Sequence, residues 1–353
     1  MRLALAAAAM LVSAPALAQS AGSGSIKPDG TVVVPSFELP PSVYLSPEAL
    51  KALPRTPTDM EAPMMAALAK GQVPQLRARI GEFMKPRHDA GKARYGVTTR
   101  AGDIAGIPVV YATPTAPVPK ANAPKILLNL PGGGFFMGTA DGTGSIESIP
   151  LAGLAKVQVV SMTYRQAPEN KHPAALEDVA KVYRELLKTH KPRDIAIFGC
   201  SAGGLLTAEA MAYFQQQKIP LPGAIGIFCA SADGRWGGDS RAYSRPFQAL
   251  PGQGPRLGYF EGIDMTDPVV SPVLAPAMLK RFPPTLLITA TRAMEMSAAV
   301  NSHRELVKAG VDAELHVWDG LGHAFFYDYT IPESREAFEE MAGFFRKHLG
   351  LAK

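Results

Sequence analysis

Cysteine is nearly absent: Cys200 and Cys229 are the only two in 353 residues. Two thiols cannot build the disulfide framework of a small exported scaffold. No Cys/His cluster has zinc-binding spacing, so no metal is expected. Both cysteines fall at the ends of candidate strands and read as buried free thiols, because the sharp turn that follows Cys200 rarely allows disulfide geometry. Long apolar runs are missing too. The N-terminal one is too short for a permanent membrane anchor, and no later one is longer. The net charge of +5 is spread along the chain with no basic run and no interleaved aromatics. That reads as solubility and excludes a nucleic-acid partner. There is no internal repeat.

What is present is a chain that is 47% hydrophobic, enough for a large core. Met1-Arg2, an Ala/Leu-rich run and Ala16-Leu17-Ala18 have the three parts of a secretory signal. Cleavage is expected after Ala18, giving a periplasmic or secreted protein. Residues 19–37 are small, polar and Pro/Gly-punctuated and read as a mobile leader. Residues 38–94 read as an N-terminal helical segment. Ser46-Pro47-Glu48 opens a short helix with Ser as N-cap and Pro in the first turn. Further helices are expected over 61–70 and from Val73 to about Lys85, with Pro86 ending or kinking the second. Met60, Met64, Met65 and Leu68 form an apolar stripe that either packs on the main body or belongs to a lid.

From Tyr95 onward the texture changes to a hairpin (95–99 and 107–113) and then to alternating strands and helices. Strands are expected at 126–130, 157–163, 195–198, 224–228, 285–289 and 313–318. Helices are expected at 144–155, 174–188, 202–217, 297–309 and 332–349. This alternation implies an α/β fold with a mainly parallel sheet and helices on both faces. Residues 231–276 interrupt it with a Gly/Pro/Arg/Ser-rich stretch.

The chain is organised around Gly199-Cys200-Ser201-Ala202-Gly203. This is G-x-S-x-G between a buried strand and a helix, the context of a nucleophile elbow. A hydroxyl is a weak nucleophile until a base takes its proton, and histidine has the right pKa. Of seven histidines, His323 lies in a Gly-rich loop straight after the last strand, where open parallel sheets build their sites. His88, His190, His303 and His348 lie on or near helices and read as exposed; His316 alternates on a strand, and His172 precedes Pro173 in a loop. Acyl transfer also needs preorganised N–H donors for an oxyanion. Leu130-Pro131-Gly132-Gly133-Gly134 follows a strand directly, and the amides of Gly133, Gly134 and Ala202 are the candidate donors. A phosphate-binding loop would need a Gly-Lys-Ser/Thr, which is missing, and no cofactor is implied. Phe135, Phe136, Met294 and Phe325 flank these loops and are candidates for an apolar substrate pocket, with ordinary core as the alternative.

Pro-Gly-Gly-Gly-Phe at 131–135, Tyr164-Arg165-Gln166-Ala167-Pro168-Glu169, Pro173 to Asp178, Gly-Cys-Ser-Ala-Gly-Gly and the Gly-His loop come in that order. Together they resemble the hormone-sensitive lipase family of α/β-hydrolases, from about Tyr95 to the C-terminus. The resemblance implies an eight-stranded α/β-hydrolase sheet, carboxylic ester hydrolysis, and a helical cap. The cap would come from residues 38–94 and an insertion at 231–276, with 95–353 as the catalytic domain. Two departures stand out. The family has His before the three glycines, where this chain has Pro131. It also places an Asp just after the strand at 285–289, where this chain has Ala293. Glu295, two residues on, is the expected replacement; Asp233 is a second position from which an acid could approach. Asp319 reads as a loop-stabilising residue. The expected protein is a serine carboxylesterase acting on small-molecule esters of short to medium chain. The alternatives are an amide or lactone hydrolase, or a non-catalytic binder on the same scaffold. Oligomeric state is not legible.

Overall fold

A computed structural model describes residues 24–54, 66–67, 69–244 and 258–352. The expected signal segment, most of the expected helix over 61–70 and all four residues of the Met60–Leu68 stripe lie outside the described residues. The chain divides into two compact units, up to Pro41 and from Ser42 onward. The first carries a small antiparallel ribbon, β1 (Ser25–Ile26) paired with β2 (Val32–Val33), in the stretch read as a leader.

The second unit is built on eight strands: β3 (Val97–Ile104), β4 (Ile107–Pro114), β5 (Ile126–Leu130), β6 (Gln158–Met162), β7 (Ile195–Cys200), β8 (Ala224–Phe228), β9 (Thr285–Ala290) and β10 (Ala313–Trp318). They lie in the order β10-β9-β8-β7-β5-β6-β4-β3. The pairs from β6 through β5, β7, β8 and β9 to β10 are parallel, and β4 is antiparallel to both β3 and β6. Every residue of β5, β7, β8 and β9 is buried, as continuous apolar runs covered on both faces require. The two-residue period of a strand divides these side chains between two cores. Leu128 and Ile197 face the helices Ala174–Leu186 and Ala202–Gln216, while Leu127 and Phe198 face Thr143–Ala155 and Pro332–Leu349.

The helices are numbered α1 (Pro47–Ala52), α2 (Val73–Tyr95), α3 (Thr143–Ala155), α4 (Ala174–Leu186), α5 (Ala202–Gln216), α6 (Ser240–Tyr243), α7 (Pro276–Leu279), α8 (Met296–Lys308) and α9 (Pro332–Leu349). Ser46 caps α1 by accepting from Ala49 N, and Glu333 at the start of α9 accepts from both Ser46 N and Ser46 Oγ.

Helix α2 is longer than the expected stretch to about Lys85. It runs through Pro86 without stopping and ends at Gly96, whose φ of 61° closes it in the left-handed region. Proline costs the helix one backbone donor, but tertiary contacts beyond it hold the last turns. His88 Nε2 lies 3.0 Å from Gly142 O, and Gly91 abuts the ring of Tyr329 so closely that a Cβ would sit 2.8 Å from it. His88, expected on the surface, is therefore buried, and that burial holds its pKa below the usual histidine value. Among the described residues no helix is long and apolar enough to cross a membrane.

Candidate active site

Strand β7 delivers Ser201 to the carboxyl edge of the sheet. The residue takes φ 58° and ψ −121°, a left-handed turn that costs a non-glycine residue energy. Ser201 N is tied to Phe228 O at 2.8 Å. The flanking glycines are required by crowding. A Cβ on Gly199 or Gly203 would collide with the carbonyl oxygen of Leu130, and one on Gly204 would lie 2.6 Å from Ala230 Cβ. The elbow and the Gly-rich loop after β5 are thus pressed together backbone to backbone. Gly203→Ala is expected to cost about 2 to 3 kcal/mol by overpacking. Chemical denaturation of the two proteins checks this, and an unchanged midpoint would contradict it.

His323 stands in the loop after β10. Its Nε2 is 2.9 Å from Ser201 Oγ, and its Nδ1 is 2.9 Å from Glu295 Oε2. Glu295 is fully buried at the start of α8, and its other oxygen accepts from Thr289 Oγ1 at 3.1 Å. Ala293, at the family's acid position, is fully buried, with its amide bonded to Ala290 O. Asp233 is elsewhere engaged. Its two oxygens pair with Arg235 Nε and Nη2, both at 2.8 Å. Asp319 accepts from Ser42 Oγ and Thr291 Oγ1 and so binds two neighbouring segments instead of His323.

The Gly-rich loop turns at Gly133 (φ 139°) and Gly134 (φ 66°). A Cβ on Gly133 would collide with Gly138 N. Gly133 O accepts from Phe136 N and Met137 N, while among the described residues neither Gly133 N nor Gly134 N donates to the protein. Ala202 N opens α5 beside Ser201, at the positive end of the helix.

Of the expected pocket residues, Phe135 stacks on Tyr259 with ring centroids 4.7 Å apart, and Phe136 has no exposed surface. The structure places both in the core and not along an accessible wall. The left-handed turn at Phe135 (φ 58°) leaves its ring among Tyr164, Tyr259 and Phe260, while the ring of Phe136 lies under the Arg77 guanidinium. Met294 and Phe325 are also buried, the latter against Trp318. Cys200 and Cys229 are free and buried.

Several residues near the site escaped sequence reading. Thr289 anchors Glu295. The Cys229 thiol accepts from Ala324 N at 3.2 Å and so supports the loop that carries His323. Trp236 lies with its ring 6.4 Å from that of His323. Thr289 and Cys229 had a sequence signal, their place at the carboxyl end of a strand, whereas Trp236 had none. Cys229, Glu295 and His323 offer ligand atoms within 4.8 Å of one another. The His323–Glu295 hydrogen bond already occupies that space, and no metal is assigned. Arg77 of α2 reaches the flank of the Gly-rich loop. It donates to Phe136 O and Ala167 O and pairs with Glu169.

The sequence profile of a family described as having the alpha/beta hydrolase fold matches residues 127–327. An acetyl-hydrolase of Streptomyces hygroscopicus is 28% identical over 77% of this chain and 92% of its own. An esterase of Acinetobacter venetianus is 25% identical over 64% of this chain and 76% of its own. Among crystal structures, an esterase superposes with a TM-score of 0.78 at 31% identity, covering 90% of this chain and 98% of the other. An esterase of the bacterial hormone-sensitive lipase family gives 0.66 at 26% identity, over 78% and 98%. The chain belongs to the α/β hydrolase fold family, as an enzyme of its hormone-sensitive lipase branch of esterases.

Proposed function

We propose that the protein hydrolyses carboxylic esters through Ser201, His323 and Glu295. The observation that carries this reading is the continuous chain Ser201 Oγ–His323 Nε2 and His323 Nδ1–Glu295 Oε2, each link 2.9 Å long. A carboxylate only accepts hydrogen bonds, so Nδ1 carries the proton and Nε2 is left as the base. Ser201 Oγ attacks the ester carbonyl carbon as its proton passes to Nε2. The carbonyl oxygen becomes an oxyanion that the amides of Gly133, Gly134 and Ala202 receive. Collapse expels the alcohol, which takes the proton from Nε2. Water then attacks the acyl-enzyme with His323 again as base, and Ser201 is regenerated. Glu295 holds the imidazole in that tautomer and stabilises its cation.

Ester over amide or lactone is favoured by the relatives, which are an acetyl-hydrolase and esterases. Short- to medium-chain acyl groups are the proposed substrates. A cap from residues 38–94 and 231–276 is supported by Arg77, which joins α2 to the edge of the Gly-rich loop, and by Tyr259 and Phe260, which pack on Phe135. Export is proposed from the three-part N-terminus, and Edman sequencing of the cell-free protein would test cleavage after Ala18.

The functional test is hydrolysis of p-nitrophenyl esters from acetate to decanoate, joined to mass mapping of a fluorophosphonate adduct. The expected result is turnover of the shorter esters and a single adduct on Ser201. No turnover on any chain length and no adduct would move the non-catalytic binder ahead.

A further inference from the structure

Beneath the Gly-rich loop lies a buried carboxyl group that the reaction as written does not use. Glu147, on α3, is fully enclosed. Its Oε1 accepts from Gly132 N at 3.1 Å and, in a very short contact, from Tyr327 OH. Its Oε2 accepts from Asn129 Nδ2 at 2.6 Å, and Asn129 Oδ1 accepts in turn from Ser161 Oγ at 2.7 Å. The same helix also holds the other side of Gly132, since Thr143 Oγ1 donates to Gly132 O at 2.6 Å. Tyr327 lies four residues past His323 in the same loop. One side chain therefore ties the loop carrying the Gly133 and Gly134 amides to the loop carrying His323.

We propose that Glu147 is a positioning residue for ester hydrolysis: as a carboxylate bridging Gly132 and Tyr327, it holds the Gly133 and Gly134 amides in register with Ser201 and His323. The proposal rests on the ester-hydrolase reading above. Its physical basis is donor counting. Tyr327, Asn129 and Gly132 donate to Glu147, the backbone of Cys200 adds to them, and a carboxylate can accept from all of these. A protonated carboxyl carries a hydrogen of its own: toward Asn129 or Gly132 it faces an N–H that cannot accept, and toward Tyr327 it reverses that bond, so that the hydroxyl no longer donates to Glu147. The groups facing Glu147 are Tyr164, Cys200, Cys229, Tyr327 and Tyr329, all neutral at pH 7. Among the described residues no cation opposes its burial. Enclosure accordingly raises its pKa to about 7, against the pull of the bonds from Tyr327, Asn129 and Gly132. The all-accepting carboxylate form of the bridge is thus gained and lost in the neutral range, where most buried carboxylates with an Arg partner would stay ionised.

The test compares wild type, Glu147→Gln, Tyr327→Phe and the double variant in p-nitrophenyl acetate hydrolysis from pH 5 to 9, with Ser201→Ala alongside. Glutamine is isosteric but brings an NH2 group where a donor already points. The expected result at pH 8 is a fall in kcat of about 10- to 100-fold with KM within about two-fold, because the oxyanion amides act on the transition state. Below neutrality, wild-type kcat/KM should fall with a slope approaching two protons, and Glu147→Gln with a slope of one. Tyr327→Phe removes only a hydroxyl and should give a smaller loss of the same kind. The double variant should lose little beyond Glu147→Gln, as partners in one bridge do. If Glu147→Gln keeps wild-type kcat and a two-proton limb while Ser201→Ala is inert, the inference is overturned and the hydrolase reading stands. If Ser201→Ala retains full turnover, both fall.

Discussion

Ser201→Ala is expected to lower ester turnover by about 10⁶-fold, the scale seen when the nucleophile of a serine triad is removed. The substitution trades one hydroxyl for hydrogen and leaves the elbow backbone intact. Ser201 N still reaches Phe228 O, and Gly199 and Gly203 still clear Leu130 O. The fold should therefore hold, with a thermal midpoint at or slightly above that of wild type. A polar group held ready for chemistry at φ 58° does not help stability. His323 then loses its partner at Nε2 but keeps Glu295 at Nδ1. Binding of an unreactive ester analogue should persist, because the amides of Gly133, Gly134 and Ala202 are untouched. Steady-state kinetics on p-nitrophenyl acetate, with analogue binding by calorimetry, separates these effects. Turnover within ten-fold of wild type would mean that Ser201 is not the nucleophile.

Much of the scaffold was legible because its signals are local. The run Ile195 to Phe198 ended by glycine reads as a strand that turns, and the structure has β7 there, followed at once by α5. The strand at Ala224–Phe228 and the helix at Pro332–Leu349 have the bounds their patterns suggest. Features that depend on contacts between distant segments were not legible. Helix α2 passes Pro86 because His88 and Gly91 find partners on Gly142 and Tyr329, and no local rule contains those partners. Phe135 and Phe136 stand next to the glycines in sequence, but both lie in the core, Phe135 at its left-handed turn and Phe136 under the Arg77 guanidinium. Glu147 was invisible for a similar reason. It sits in a helix whose buried residues cover nearly its whole length, and only the folded chain brings Asn129, Gly132 and Tyr327 to it.

The second large effect is expected at Glu295. Its placement answers a geometric question that the chain poses by carrying Ala293 where the family resemblance implies an acid. Ala293 is packed without exposure at the end of the turn after β9, so a carboxylate has to come from elsewhere. Glu295 comes from the start of α8, two residues further along and with one more methylene, and reaches His323 Nδ1 at 2.9 Å. Asp233 has both oxygens committed to Arg235. Glu295→Gln keeps the shape and removes the charge. If the amide turns its NH2 toward Nδ1, the imidazole adopts the wrong tautomer and kcat should fall by about 10⁴-fold. If it keeps its oxygen there and gives the NH2 to Thr289 Oγ1, the tautomer survives. The imidazolium then still lacks its counter-charge, and the loss is smaller, about 10²-fold. Thr289→Val closes the second route, so Glu295→Gln combined with it should reach the larger loss, while Asp233→Asn should stay within a few-fold of wild type. Measured kcat values for these variants, at matched stability, locate the acid. A near-wild-type Glu295→Gln would remove Glu295 from the mechanism, because a buried carboxyl 2.9 Å from the general base cannot lose its charge unnoticed if that charge supports catalysis.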